Sequence, residues 1–282
     1  MRRRSLILMS VILLPVLVLG GAVATGVALT EIEISGYEDA VRGTATSSPH
    51  PVTGDRTTGD LPEPVRRYLA FALPDPQARY PIVRLEAAGD FRRPLTDGFA
   101  PTTATQVIAT GTPALMFAAT TPIVPGVWAR AFDYFGDGQM EMRARVLSVI
   151  PVVHESATAE LNRISLRRWL LESPLYPMAL LPGGPVRWEA VDESRSRAIV
   201  SAFGLEASLI ASFRPDGSLA SFDAEQDGDL TTPYHGSGEH AARDDYRLVA
   251  GMMIPHSFII ARASGGTIHP FWRGRITAIA FE

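Results

Sequence analysis

Val127-Trp-Ala-Arg-Ala-Phe-Asp-Tyr-Phe-Gly-Asp-Gly-Gln-Met-Glu-Met-Arg-Ala-Arg-Val146 is the stretch that decides the fold. It holds two runs of β-forming residues, 127–135 and 139–146, separated by Gly136-Asp-Gly138. Glycine and Asp are the residues that accept the unusual backbone angles of a tight turn. In the second run Met140, Met142, Ala144 and Val146 alternate with Glu141, Arg143 and Arg145. Successive strand side chains point to opposite faces, so this period of two buries one face and leaves the other polar. The stretch therefore predicts an antiparallel hairpin.

Working outward, similar runs occupy residues 81–91, 102–109 and 114–120 before the hairpin, and 186–192, 198–203, 207–213 and 218–225 after it. The last two are joined by Arg214-Pro-Asp-Gly217, a turn sequence. Runs at 246–250, 257–263 and 271–281 close the chain. Helical signals interrupt them. Residues 60–73 predict a short helix capped by Asp60, with prolines in its first turn and Pro74 behind it. Ser156 would cap a helix over 157–171 with Ala157, Leu161, Ile164 and Leu171 on one face, and a second short helix would cover 176–181. About ten short strands with meander turns and two or three helices predict an α+β fold. Its expected form is one domain over residues 60–282, a strongly curved, half-barrel-like antiparallel sheet packed on its helices.

The N-terminus reads differently. Arg2, Arg3 and Arg4 precede an uncharged run from Ser5 to Thr30, longer than the ~20 residues that cross a bilayer as a helix. Basic residues before the run and Glu31 after it orient the bulk of the chain outside the cytoplasm. Residues 1–30 are thus expected to form a single-pass anchor in the cell membrane. The alternative is a signal peptide cleaved near Ala22-Val-Ala24, with a secreted product. Residues 31–59, rich in Gly, Ser, Thr and Pro, show no periodicity and are expected to form a flexible stalk.

Composition removes several function classes. The 282 residues contain no Cys, so disulfides, thiolate nucleophiles and Cys-ligated metals are excluded. All 26 basic residues are Arg, which excludes lysine Schiff bases and P-loop lysines. Removing residues 1–30 takes away three Arg and no acid, leaving 23 Arg against 30 Asp plus Glu, a charge of −7. Such an acidic domain does not suit nucleic acid.

No catalytic motif is present, and no catalytic residue, metal ligand or cofactor is assigned. His235-Gly-Ser-Gly-Glu-His240 gathers two imidazoles and a carboxylate, but in a glycine-rich segment that reads as a loop. His154, His256, Asp244 and the pair Asp133 and Asp137 are the other titratable groups an active site would draw on; Asp137 reads as a turn residue. In the central helix Arg168 and Glu172 are four apart and can pair on the helix itself. Arg163, amid Leu161 and Ile164, is expected under the sheet, paired with a strand carboxylate. Large apolar side chains, Trp128, Tyr134, Met140, Met142 and Trp188 foremost, with Phe132 and Trp272 among others, either fill the core or line an adaptable greasy cavity.

Several segments taken in order carry a resemblance. They are Leu61-Pro-Glu-Pro-Val-Arg-Arg-Tyr-Leu69, Asp133-Tyr-Phe-Gly-Asp-Gly-Gln-Met140, Glu160-Leu-Asn-Arg163, Leu171-Glu172, Pro177-Met-Ala-Leu-Leu-Pro182, Trp188, Tyr246 and Gly251-Met-Met-Ile-Pro255. Together they resemble a family of bacterial, membrane-anchored domains of unknown function over about residues 60–282. The strand-rich pattern is also similar in architecture to the LolA/LolB-like lipoprotein-carrier fold, a curved half-barrel that holds acyl chains. That similarity implies an envelope protein binding a lipid or another apolar ligand without catalysis, and it requires an apolar cavity of several hundred Å³. Two other readings stand beside it. An envelope hydrolase requires two or more of Asp133, His154, His235, His240, Asp244 and His256 in one cleft. A tethered interaction module requires a filled core with an exposed apolar patch.

Overall fold

The computed structural model describes residues 2–47, 60–75, 78–92, 98–228, 230 and 238–282. One antiparallel sheet of 13 strands dominates them. The strands are β1 (Ile82–Arg92), β2 (Phe99–Ala109), β3 (Ala114–Val124), β4 (Val127–Gly136), β5 (Gln139–Val146), β6 (Ile150–Ser156), β7 (Val186–Ala190), β8 (Arg195–Ala202), β9 (Leu205–Phe213), β10 (Leu219–Asp223), β11 (His240–Val249), β12 (Met252–Ser264) and β13 (Thr267–Phe281). Two meanders, β1 to β6 and β7 to β13, meet where β1 pairs with β13. Strands β6 and β7 are the two edges of this sheet, which is open and only mildly curved where the sequence predicts a strongly curved half-barrel. The β4–β5 hairpin closes through Asp137 and Gly138, both at positive φ (51° and 75°), the turn that matches the twist of the strands it joins. Strand β6 shows in the sequence only as a strand end at His154-Glu155, because its exposed Ile150 and Val152 and its Pro151 give no buried alternation.

The inner face of the sheet carries the main core, two α-helices and two 3₁₀ turns. Helix α2 is Glu63–Ala72 and α3 is Ala159–Glu172. Neither expected cap is used. Pro62 precedes α2 with no side-chain cap, and Thr158 rather than Ser156 caps α3, its Oγ1 accepting from the Leu161 amide at 3.1 Å. Leu166, Trp169, Leu170 and Leu171 of α3 are fully buried, while Leu161 and Ile164, expected on the buried face, are half-exposed. The helix expected over 176–181 is replaced by two 3₁₀ turns, Ser173–Leu175 and Pro177–Leu180. Pro174 and Pro177 each remove an amide donor and stop an α-helix from forming there. Helix α3 packs on β8 and β9 at one flank of the sheet and on β4 and β5 at the other.

The outer face of β1–β5 is covered by α1, Arg2–Ser47. This corrects the expectation of a flexible stalk from residue 31: the helix runs on through residues 31–47, and residues 48–59 lie outside the described residues. The physical reason is a second core. Ile34, Val41 and Ala45 of α1 pack on Ile82, Val107, Ala109, Met116 and Phe132. Charge fixes the same face. Glu31 is bonded by Arg130 at 2.9 and 3.0 Å, Glu33 by Arg143 and by Arg145 at 2.9 Å, and Tyr37 donates to Glu141. The charged face of β5 is therefore turned toward a helix, not toward solvent.

Candidate functional site

A cavity of about 60 Å³ lies between α3 and the inner face of the sheet. Phe91, Phe117, Met142 and Trp272 give it apolar walls, with Ala119 and Ala131 between them and Thr102 and Thr121 bonded to each other at one side. Its polar end is made by Asp133 of β4 and by Arg168 and Glu172 of α3. Arg168 donates to Asp133 Oδ2. Both groups are almost wholly buried, at 2% and 3% exposure. Burial raises the Asp133 carboxyl from 3.8 to about 6, outweighing the opposite pull of Arg168. Its second oxygen, Oδ1, is buried without a hydrogen-bond partner among the described residues. Arg168 also lies over the Phe117 ring, 4.5 Å from its centroid.

Around this end, α3 is tied to the sheet by charge on both sides. Glu172 accepts from Arg243 of β11 at 2.7 Å, and Arg243 also reaches the Leu171 carbonyl at 3.1 Å. Arg167 donates to Glu239 at 3.0 Å, and Glu239 is shared with Arg262 of β12 at 2.8 Å. Arg168 and Glu172 thus each find an ion-pair partner on a strand, where the sequence reading paired them with each other. Arg163, expected under the sheet, is exposed on α3, because the buried face of the helix is set by Trp169 and Leu166 instead.

Of the five foremost apolar candidates, Met142 lines the cavity. Met140 is buried in the main core, and its amide donates to Asn162 Oδ1 at 3.0 Å. Trp188 packs on Phe213 and donates to the Leu180 carbonyl at 3.1 Å, away from the cavity. Tyr134 belongs to the outer face, stacked on Tyr37 of α1 at 4.5 Å. Trp128 is half-buried at the start of β4, beside the β5–β6 turn, where its carbonyl accepts from the Leu147 amide. Parity along β4 explains the split: Trp128, Arg130, Phe132 and Tyr134 alternate with Ala131 and Asp133. Phe91 and Phe117 of the cavity wall carry no signal in the sequence, because a single aromatic in a predicted strand does not say which face it shares.

The titratable candidates do not share a described cavity. Asp133 is in the cavity under α3. His154 is exposed on edge strand β6, 3.4 Å from Glu141. His240 begins β11 and bonds Asp223 at 2.6 Å. Asp244 is solvent-exposed, and His256 is buried with its Nδ1 2.9 Å from the Ile254 carbonyl. His235 lies outside the described residues. Among the described residues no group of three acidic or imidazole side chains is placed to hold a metal. A larger cleft of about 420 Å³ beside α3 is polar, edged by Arg163, Arg167, Glu225 and Glu239. Among the described residues the apolar cavity under α3 is much smaller than the several hundred Å³ expected from the sequence, because Trp169, Tyr68, Tyr176 and Phe222 fill the centre of the fold.

The sequence profile of a family described as of unknown function, DUF6920, matches residues 59–281. No curated protein matches the chain. A solved structure, a β-barrel-like protein of domain of unknown function DUF1849 from Brucella abortus, covers 72% of this chain and 99% of its own at 10% identity, with a TM-score of 0.26.

Proposed function

The chain belongs to the DUF6920 family, whose function is unknown, and for it we propose the non-catalytic binding of an apolar chain end by a membrane-anchored domain built on an open antiparallel sheet. The observation that carries this reading is the cavity under α3, with aromatic and thioether walls and a buried ion pair at one end. Its volume has room for roughly four to six water-sized groups, which suits the end of an acyl chain and not a whole lipid. Anchoring is supported by the apolar part of α1, where Leu14, Leu17, Val18 and Leu19 are all more than 60% exposed.

The test is photo-crosslinking of the full chain in vesicles that contain a fatty acid with a photoreactive tail. Adducts on Phe117, Met142 or Trp272 that disappear in Ala131→Phe, a substitution that fills the cavity, are the expected result. Adducts confined to α1, or unchanged in Ala131→Phe, overturn the reading.

A further inference from the structure

Three segments lose their charges at one level of the structure. In α1 the uncharged run ends at Thr30 and Glu31. Thr30 accepts from Arg145 at 3.0 Å, and Glu31 is held by both arms of Arg130. Beyond Arg130 the β3–β4 turn, residues 121–129, carries no charge, and beyond Arg145 the β5–β6 turn, residues 146–153, carries none either. The two turns are neighbours, since the Leu147 amide donates to the Trp128 carbonyl at 2.9 Å.

These turns are greasy on their open side. Val124, Val149, Ile150 and Val152 are 42–56% exposed. The β5–β6 turn touches α1 at Gly26, where a Cβ would stand 2.7 Å from the Ser148 carbonyl oxygen and from Val149. A 20-residue membrane span counted from Ser5 ends at Ala24, and Gly26 lies only ~3 Å further along the helix axis. Half-buried Trp128, a residue type enriched at membrane interfaces, stands at the base of the same tip.

We propose that the β3–β4 and β5–β6 turns form a second membrane contact, in which Val124, Val149 and Ile150 enter the interfacial layer of the bilayer that α1 crosses. The occupant is the bilayer because the apolar tip is continuous with the apolar part of α1, and because the Arg130–Glu31 and Arg145–Thr30 contacts fix the two at one height. The domain then stands on the membrane at a set angle instead of swinging on a tether. This inference rests on the reading of α1 as a membrane anchor and is independent of what the cavity binds.

The chain has no Cys, so a single introduced thiol is a unique probe. Full chains carrying Val124→Cys, Ile150→Cys or Ser47→Cys, each with an environment-sensitive dye, are placed in phosphatidylcholine vesicles with a quencher attached at the lipid headgroup. Ser47 is the control, ~32 Å along α1 from Gly26. Several-fold stronger quenching at 124 and 150 than at 47 is expected. Equal, weak quenching at all three sites in a chain that stays with the vesicles overturns the second contact alone. Dyes at 124 and 150 shielded from water but not quenched by lipid point to a protein on this surface and also overturn it. Release of a shortened chain from cells overturns the anchor and this contact together.

Discussion

Arg168 on α3 donates to Asp133 on β4, and this pair binds the central helix to the sheet from inside the core. The bond is made where two charges are costly to desolvate, so its integrity matters more than its net contribution. Asp133→Ala leaves a buried guanidinium without its carboxylate and is expected to cost about 3–5 kcal/mol. Replacing both, Asp133→Leu with Arg168→Met, is expected to cost much less. Urea unfolding of the two variants decides it; equal losses would mean that packing and not charge governs the site.

The same carboxyl gives a pH signature. Its folded value is raised to about 6 by burial, while the unfolded chain releases the proton near 3.8. Between those values the folded state holds more protons, so this group favours folding in acid and its contribution falls as pH rises from about 4 to 6. The stability of the natural chain relative to Asp133→Asn should therefore decline over that window and level off above pH 7. A flat difference across urea titrations at pH 4.5 to 7.5 would show Asp133 ionised throughout.

Removing α1 should expose a face and not merely free a tether. Ile34 and Val41 are 4% and 0% exposed against the outer core. Burying each is worth about 1.5–3 kcal/mol, so a chain beginning at residue 60 should lose roughly 3–6 kcal/mol against one beginning at residue 25. Denaturation midpoints measure this, and light scattering should show the shorter chain associating through Phe132 and Met116.

Gly26 sets how closely α1 approaches the β5–β6 turn. Gly26→Val must push the helix from a backbone carbonyl that cannot swing aside, at about 1–3 kcal/mol. Faster hydrogen exchange at the Leu147 amide is the expected readout; unchanged protection would place the helix further from the turn.

Trp169 donates its Nε1 proton to the Ala109 carbonyl at 2.8 Å in the middle of the main core. Trp169→Phe keeps most of the ring but leaves that oxygen unpaired, for an expected loss of about 1–3 kcal/mol by calorimetry or urea. Trp169→Ala should cost more, about 3–5 kcal/mol.

The sequence by itself determined the local order. Alternation along residues 139–146, the Asp137–Gly138 turn and the apolar runs on either side are near-neighbour properties, and they correspond to β5 and to most of the other strands. The apolar helix near the N-terminus was legible for the same reason, since an uncharged run needs no partner to be recognised. What the tertiary structure alone decided is which face meets what. Glu141, Arg143 and Arg145 read as a solvent face, yet they meet Glu33 and Tyr37 of α1, because an acidic helix and a basic strand satisfy one another only after both have formed. Arg168 likewise had Glu172 four residues away but lies against Asp133, 35 positions distant. Glu172 is buried as well but is held by Arg243 of β11, and no spacing rule along the chain contains that information.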